Sequence, residues 1–473
     1  MNTTEKVDCV VIGAGMSGLA AGIRLAMYNK KVLVLEKHTI SGGLNSYYAR
    51  GKRKFDVGLH ALTNFVTPSD RGKPFNKLMK QLRIPYEEFK LSPQNYSLIQ
   101  FPEQTLKFTN EINVLIEEIN QKFPQEIDGF IRLLEHIKNF DEVNLNNETV
   151  MAKTVVRTFI KNESLVEMIF CPLLIYGSAW ENDMDFSQFV IMFKSIFLEG
   201  FSRPEGGVRT IIDLLLKKLS DVGGELRFKS EVTRIISHGG RIVGVEINHN
   251  HIIECDQVLS SMGLPETYGV VSEFESLNHP AVGKLSFCES ILVTDKKPRD
   301  LGVDASIIFY NNRPEDLYHK PQTLFDRESA VVCFPNNFKY DNYQDDYPEG
   351  VLRITNIANF DLWNELKSSE DKTLYREQKE LLCENAKGIL KNCGINPDYQ
   401  ILFKDIFTPT TIKRYTQHFE GTVYGSTDKS RNGKTPIDGL YICGTDQGFL
   451  GIVGSMLSGI SMANLHVLQG DLK

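Results

Sequence analysis

Residues 7–36 read VDCVVIGAGMSGLAAGIRLAMYNKKVLVLE. The first six residues are a short apolar run of strand type. Gly13-Ala14-Gly15-Met16-Ser17-Gly18 follows at once, then a helix-forming stretch, then a second apolar run that ends on Glu36. This is G-x-G-x-x-G with a strand before it, a helix after it and an acid about 20 positions on, which is the full context the motif requires. Gly13 permits the tight turn, Gly15 lets backbone approach a diphosphate, and Gly18 lets the helix pack close to the strand. The N-terminus of that helix offers unpaired N–H groups and the positive end of its dipole to phosphate oxygens. Glu36 is placed to accept hydroxyl hydrogens of an adenosine ribose, and its charge argues against a cofactor with a 2′-phosphate.

Two further stretches turn a general dinucleotide site into one for FAD. Gly42-Gly43 and Phe55-Asp56-Val57-Gly58 follow Glu36 closely, and the glycine pair allows a second backbone approach to a bound dinucleotide. Near the other end, Leu440–Cys443 reads as a strand running into Gly444-Thr445-Asp446, a glycine-rich turn and a helix. A helix N-terminus there would stabilise negative charge on a reduced flavin.

The remaining composition is that of an ordinary globular chain. Its 473 residues are 41% hydrophobic and 24% charged, with a formal net charge of -7. Acidic and basic residues are interspersed, so nucleic acid is not an expected partner. The eight cysteines are scattered, without a C-x-x-C pair or a Cys/His cluster, so no metal site is expected and the thiols read as buried and reduced. The N-terminus lacks signal-peptide features, and no run of about 18 apolar residues implies a transmembrane helix. The expected location is the cytoplasm, at most peripheral to the inner membrane surface.

Residues 76–204 read as mostly helical, from the apolar spacing in KPFNKLMKQLRI, EINVLIEEINQKF and EIDGFIRLLEHIKNF. Strands joined by tight turns are expected over 225–261, with a turn at His238-Gly239-Gly240. Alternation over 285–360 predicts an antiparallel sheet, Ser368 to Cys393 a charged amphipathic helix, and the polar stretch 336–350 a surface loop. CPLLIYGSAW (171–180) and FSQFVIMFKSIFLEGF (186–201) supply apolar walls, for a core or for a hydrophobic tunnel.

Four blocks, in order, resemble phytoene desaturase-type flavoproteins, a group of carotenoid desaturases, carotenoid cis–trans isomerases and retinol saturases. They are EKHTISGGLNSYYARGKRKFDVGLHAL, FSRPEGGVRTIIDLLLKKLSDVGGELRFKSEVTRI, TPTTIKRYTQHFEGTVYG and GLYICGTDQGFLGIVGS. The resemblance implies an α/β fold: a Rossmann-type FAD-binding domain of the amine-oxidase-like superfamily with an inserted α+β substrate domain. Residues 1–75, 205–262 and 405–473 would build the FAD-binding domain. Residues 76–204 and 263–404 would be the helical and sheet parts of the substrate domain.

By the same resemblance, Gly13, Ala14, Gly15, Ser17 and Gly18 would hold the diphosphate and Glu36 the ribose. Lys37, Gly43 and Leu44 would line the cofactor, and Val232 would meet adenine through its backbone. Gly444, Asp446, Ile452 and Val453 would border the ribityl chain and flavin. Many relatives carry arginine after the glycine pair. Leu44 stands there instead, which disfavours amine oxidation and looks closer to the isomerase and saturase branches. His60 is the candidate catalytic group, with a hydrogen-bonded structural histidine as its alternative, and Asp56 reads as a turn brace. Arg203, Glu205 and Arg209 flank a Pro-Glu-Gly-Gly turn, and Arg414 and Tyr415 are placed to reach the active site.

The implied activity is flavin-dependent chemistry on a long apolar substrate, with quinone or oxygen as electron acceptor and a lipid carrier or membrane surface as a further partner. A flavin amine oxidase, and a prenyl-lipid-binding escort protein without redox use, are the competing readings.

Overall fold

The computed structural model describes residues 5–70, 72–272, 279–340 and 349–469. The N-terminal unit is strand β1 (Glu5–Ile12), helix α1 (Met16–Ala26) and strand β2 (Val32–Leu35). After a long excursion the chain returns through α2 (Val208–Asp221), β3 (Glu225–Arg227), β4 (Val232–His238), β5 (Arg241–Ile247) and β6 (His251–Ser260). It returns again through α3 (Pro409–Thr416), β7 (Leu440–Ile442) and α4 (Gly451–Met462). The strands form one sheet in the order β4-β5-β6-β1-β2-β3, and β7 pairs with the end of β6.

β1, β2, β3, β6 and β7 are mutually parallel, with Ile12 level with Leu35 and Ser260, and Ser260 level with Ile442. Their carboxyl ends therefore open on one edge, where ligands bind in open parallel sheets. The β4–β5 hairpin turns at Gly239 and Gly240, both at positive φ, as the sequence predicts.

A second seven-stranded sheet runs in the order 401–407, 286–294, 350–358, 329–333, 307–311, 97–100 and 105–108. All its pairings are antiparallel except that between Ile307–Asn311 and Ser97–Gln100. One face packs on helix Lys372–Asn392 through Leu292, Val332 and Ile354. The other, carrying Phe287, Phe309 and Ile357, packs on the helices of residues 112–198.

The helices expected in 73–140 form, as Pro74–Leu82, Ile112–Lys122 and Ile127–Asn139. Residues 76–204 are mostly helical, as the spacing predicts, but the stretch also carries Ser97–Gln100 and Thr105–Phe108, which are strands of the second sheet. Runs of four residues are too short to show a period-2 pattern, and only pairing with a distant strand stabilises them. The amphipathic helix begins at Lys372, where the Asp371 carboxylate accepts from Thr373 N at 2.8 Å. The polar stretch 336–350 lies mostly outside the described residues. All eight cysteines are buried and free, and burial raises their thiol pKa values. One stretch that the sequence reading passed over, Gly451–Leu468, has the length and apolarity of a membrane span. It is mostly buried, and α4 packs against α1.

Candidate cofactor and active site

The glycines of the first loop are each constrained differently. A Cβ at Gly18 would fall 1.9 Å from the Gly13 carbonyl oxygen, so α1 can start this close to the turn only with glycine there. At Gly15 nothing lies within 4 Å of the Cβ position. Its bare backbone faces open space at the N-cap of α1, where no side chain caps the helix. This cradle fits a diphosphate. The second loop docks on the first: Gly42 N donates to Ala14 O at 2.8 Å, and both Gly42 and Gly43 take positive φ. Gly58 packs on the Leu44 carbonyl, where a Cβ would come within 2.5 Å.

Glu36 is buried at the end of β2. Its carboxylate accepts from Ala14 N at 2.8 Å and from His38 N at 2.9 Å, so it braces the glycine turn. Its backbone bonds to Arg227 O and Ser230 N, two residues before Val232 at the start of β4. Lys37 pairs with Glu231 at 2.7 Å on the surface.

Gly444, at φ +87, abuts Ser17, and Gly444 N donates to Ser458 Oγ at 2.8 Å. A Cβ at Gly459 would meet Ser17 O at 2.0 Å, so α4 crosses α1 at glycine distance. Asp446 is fully buried and holds the turn together. It accepts from Leu264 N at 2.6 Å, Ser426 N at 2.9 Å and Lys429 Nζ at 3.1 Å. Ile452 and Val453 are buried in the first turn of α4, which has no side-chain cap. The dinucleotide residues named from sequence thus gather along the carboxyl edge of one sheet.

His60 lies where the two sheets meet. Three residues on, Thr63 Oγ1 comes 3.6 Å from the Cβ position of Gly451, so this turn borders the N-terminus of α4. His60 Nε2 is 3.0 Å from Thr355 Oγ1 and 3.4 Å from Glu289 Oε1. Glu289 in turn receives Arg353 Nε at 2.6 Å and Arg353 Nη2 at 2.9 Å. Arg353 also donates to the carbonyls of Leu59 and Val57, both at 2.7 Å. Arg203 donates to Leu59 O at 2.8 Å, to His60 O at 2.9 Å and to Asp56, whose other oxygen caps α2 at Val208 N. Asp56 is therefore a brace, as its sequence context suggests.

Burial lowers the His60 pKa, and the charges of Arg353 and Arg203 add to the effect against its bond to Glu289. Burial alone would raise Glu289, but Arg353 and His60 outweigh it and hold the carboxylate below its ordinary range. The imidazole is neutral at pH 7, with its Nδ1 free of hydrogen bonds among the described residues.

Glu289, Arg353 and Thr355 were not found from sequence. In the antiparallel register Glu289 stands opposite Thr355 and Ile291 opposite Arg353, so the ion pair is a diagonal neighbour pair on one face. The available signal was one acid in SFCESILVT and one arginine in GVLRITNIA, each alone on an apolar strand. Tyr176 was also missed. Its hydroxyl is buried without a partner among the described residues, and its ring lies 6.2 Å from His60, 5.5 Å from Phe201 and 5.3 Å from Phe309.

Beyond His60 the wall is apolar. One continuous cluster joins Phe170, Phe189, Phe193, Phe201 and Phe309 to Leu450 at the start of α4, with Ala61 against it. A cleft of about 160 Å³ opens beside it, bordered by Val143, Leu145, Trp180, Ile191, Lys429 and Leu450. Burial lowers the Lys429 pKa, against the pull of Asp446. Residues of both apolar segments, 171–180 and 186–201, border this cleft. Arg414 and Tyr415 are not at His60: α3 packs against the Gly43–Asn45 turn instead.

The family profile described as flavin containing amine oxidoreductase matches residues 16–465. Among similar curated proteins, the chloroplastic prolycopene isomerase of Daucus carota is 26% identical, over 100% of this chain and 81% of its own length. The all-trans-retinol 13,14-reductase of Danio rerio is 23% identical over 98% and 87%. The neurosporene-forming phytoene desaturase of Rhodobacter capsulatus is 27% identical over 56% and 54%. Among solved structures, a Methanosarcina mazei oxidoreductase superposes with a TM-score of 0.65 at 17% identity, covering 97% of this chain and 100% of that one. A redesigned putrescine oxidase gives 0.64 at 14%, covering 98% and 100%.

Proposed function

This chain belongs to the flavin-containing amine oxidoreductase family, and we propose that it works on carbon–carbon bonds of a long apolar polyene, isoprenoid or acyl chain. It is an FAD-dependent oxidoreductase. The finer reading is a desaturase, saturase or cis–trans isomerase. The observation that carries it is the phenylalanine-rich cluster that runs without interruption to Leu450 at the N-terminus of α4. The printed names of the isomerase, reductase and desaturase relatives support the same substrate class.

Bound FAD supplies hydride acceptance or donation at its N5 atom. The chain's own residues bind and orient. The glycine loops would hold the diphosphate, Glu36 would hold the ribose, and the phenylalanines would keep water away from the reacting carbons. Adding or removing hydrogen across a C–C bond also needs a proton at the neighbouring carbon. His60 Nδ1 is the site we assign to that proton, with burial, helped by the Arg353 charge, keeping the imidazole neutral and with Thr355 and Glu289 fixing it through Nε2.

The reading extends to location and partners. Long apolar substrates reside in membranes, so the protein would work from the cytoplasm against the inner membrane surface or a lipid carrier. Val143 and Leu145, exposed by the cleft, support this. Quinone or oxygen would reoxidise the flavin. Leu44 and the apolar wall weigh against a small amine, and the intact glycine cradle against an escort protein without redox use.

The test is extraction of the purified holoenzyme with organic solvent and mass spectrometry of what it carries. A polyene, isoprenoid or long acyl compound is expected. Recovery of a small polar amine would overturn the proposal.

A further inference from the structure

A diphosphate carries two negative charges, yet the two glycine loops, 13–18 and 42–44, themselves contain no basic side chain. The Gly13–Gly18 turn offers Met16 and Ser17, position 44 is leucine, and Lys37 is committed to Glu231 at 2.7 Å. Apart from the dipole of α1, the compensating charge has to come from another part of the fold.

α3 supplies it. This helix packs against the Gly43–Asn45 turn and ends on Lys413, Arg414, Tyr415 and Thr416. Lys413 is turned away, with its ammonium 5.0 Å from the Phe360 ring centroid. Arg414 lies over Tyr415, its guanidinium carbon 5.6 Å from that ring's centroid. Tyr415 is 54% exposed, and its ring centroid is 5.8 Å from that of His38, two residues beyond Glu36. Tyr415 thus reaches the segment just beyond Glu36, while the helix that carries it and Arg414 packs on the Gly43–Asn45 turn; these are the two ends of the span a diphosphate covers.

The segment is fastened on the opposite bank as well. The chain reverses at Gln417, φ +63, and Glu266 holds both Phe419 N at 2.6 Å and His418 Nδ1 at 3.5 Å. Glu266 follows Ser261, whose hydroxyl donates to Ile12 O at 2.7 Å beside Gly13. Arg414 forms no ion pair among the described residues. A guanidinium held only by stacking on a half-exposed tyrosine is available to a phosphate, and its planar donors suit bidentate contact.

We propose that Arg414, steadied by Tyr415, is the cation this chain brings to the FAD diphosphate, in the role that position 44 cannot fill. The cofactor site is thus closed by an arm from α3, and its charge complement lies some 370 residues along the chain from the glycine pair.

The experiment follows FAD release from diluted holoenzyme by the rise in flavin fluorescence, at low and high salt. R414Q is expected to release FAD about tenfold faster than the parent at low salt, as loss of one charge-assisted contact implies. R414E should release faster still and R414K at a rate between the parent and R414Q, since it keeps the charge but not the planar donors, and the differences should shrink at about 0.5 M salt. L44R introduced into R414Q should slow release again. R414Q releasing FAD at the parent rate at low salt would overturn the proposal. So would equal acceleration in R414K, R414Q and R414E, which would report a packing role rather than charge.

Discussion

Two alanine substitutions three residues apart separate cofactor binding from folding. At Gly18 the added methyl falls 1.9 Å from Gly13 O and 3.1 Å from Gly13 C, both backbone atoms that cannot rotate away. Such contacts do not occur below 3.0 Å, so α1 must back off from the turn by about 1 Å. Overpacking costs about 1–3 kcal/mol, and the helix preference of alanine returns about 1 kcal/mol. With rigid backbone on both sides the upper end applies, for a net loss of about 2 kcal/mol.

At Gly15 the methyl meets nothing within 4 Å, and the backbone, at φ -74 and ψ -179, already suits alanine. The weaker N-cap and the stiffer unfolded chain offset each other to within about 1 kcal/mol. The methyl instead stands where the diphosphate approaches, so FAD affinity should fall at least ~100-fold, about 2.7 kcal/mol. The assay is urea denaturation of flavin-stripped proteins alongside equilibrium FAD binding. Gly15→Ala should match the parent in the first and fail in the second, while Gly18→Ala should fail in both. A Gly15→Ala protein that binds FAD like the parent would refute the reasoning.

Other consequences follow from named contacts. Glu36→Arg should lose FAD on gel filtration, whereas Glu36→Gln, which can still accept from Ala14 N, should retain it with affinity lowered about tenfold. Glu289→Ala leaves the buried Arg353 charge uncompensated and should cost about 3–5 kcal/mol in urea denaturation; a Glu289→Met, Arg353→Met double variant should cost less than that single change. His60 has a folded-state pKa lowered chiefly by burial, so the unfolded chain binds a proton that the native state refuses. Its stability contribution is therefore complete above the unfolded value near 6.5 and is lost as pH falls below it, at up to about 1.36 kcal/mol per pH unit. His60→Gln should flatten the stability–pH profile of the holoenzyme between about pH 6.5 and 5. An unchanged slope would remove His60 as its source.

The cofactor site was legible because each of its parts is local. A glycine turn, a helix N-terminus and an acid at a fixed spacing sit within 36 residues, and backbone geometry alone explains each residue type. The far end, Gly444 to Val453, was legible for the same reason. The chemistry around His60 was not, because it depends on register. Only the pairing of Ser286–Thr294 with Gly350–Ala358 brings Glu289, Arg353 and Thr355 to one face, and no spacing in the sequence records that pairing. Arg414 was noticed, but the sequence left its place open. TIKRYT reads as an amphipathic turn near a flavin segment, and what it packs against is decided by the Gly43–Asn45 turn more than 360 residues earlier.

The central claim is that FAD in this fold acts on an apolar carbon–carbon bond. It is tested most directly by incubating the holoenzyme anaerobically with detergent-dispersed polyenes, once oxidised and once reduced by dithionite, while recording flavin and polyene absorbance together. The account predicts a changed polyene chromatogram in at least one flavin state, and none with Gly15→Ala, which lacks the cofactor. Polyenes untouched in both states, with the oxidised flavin bleached by a primary amine instead, would contradict it.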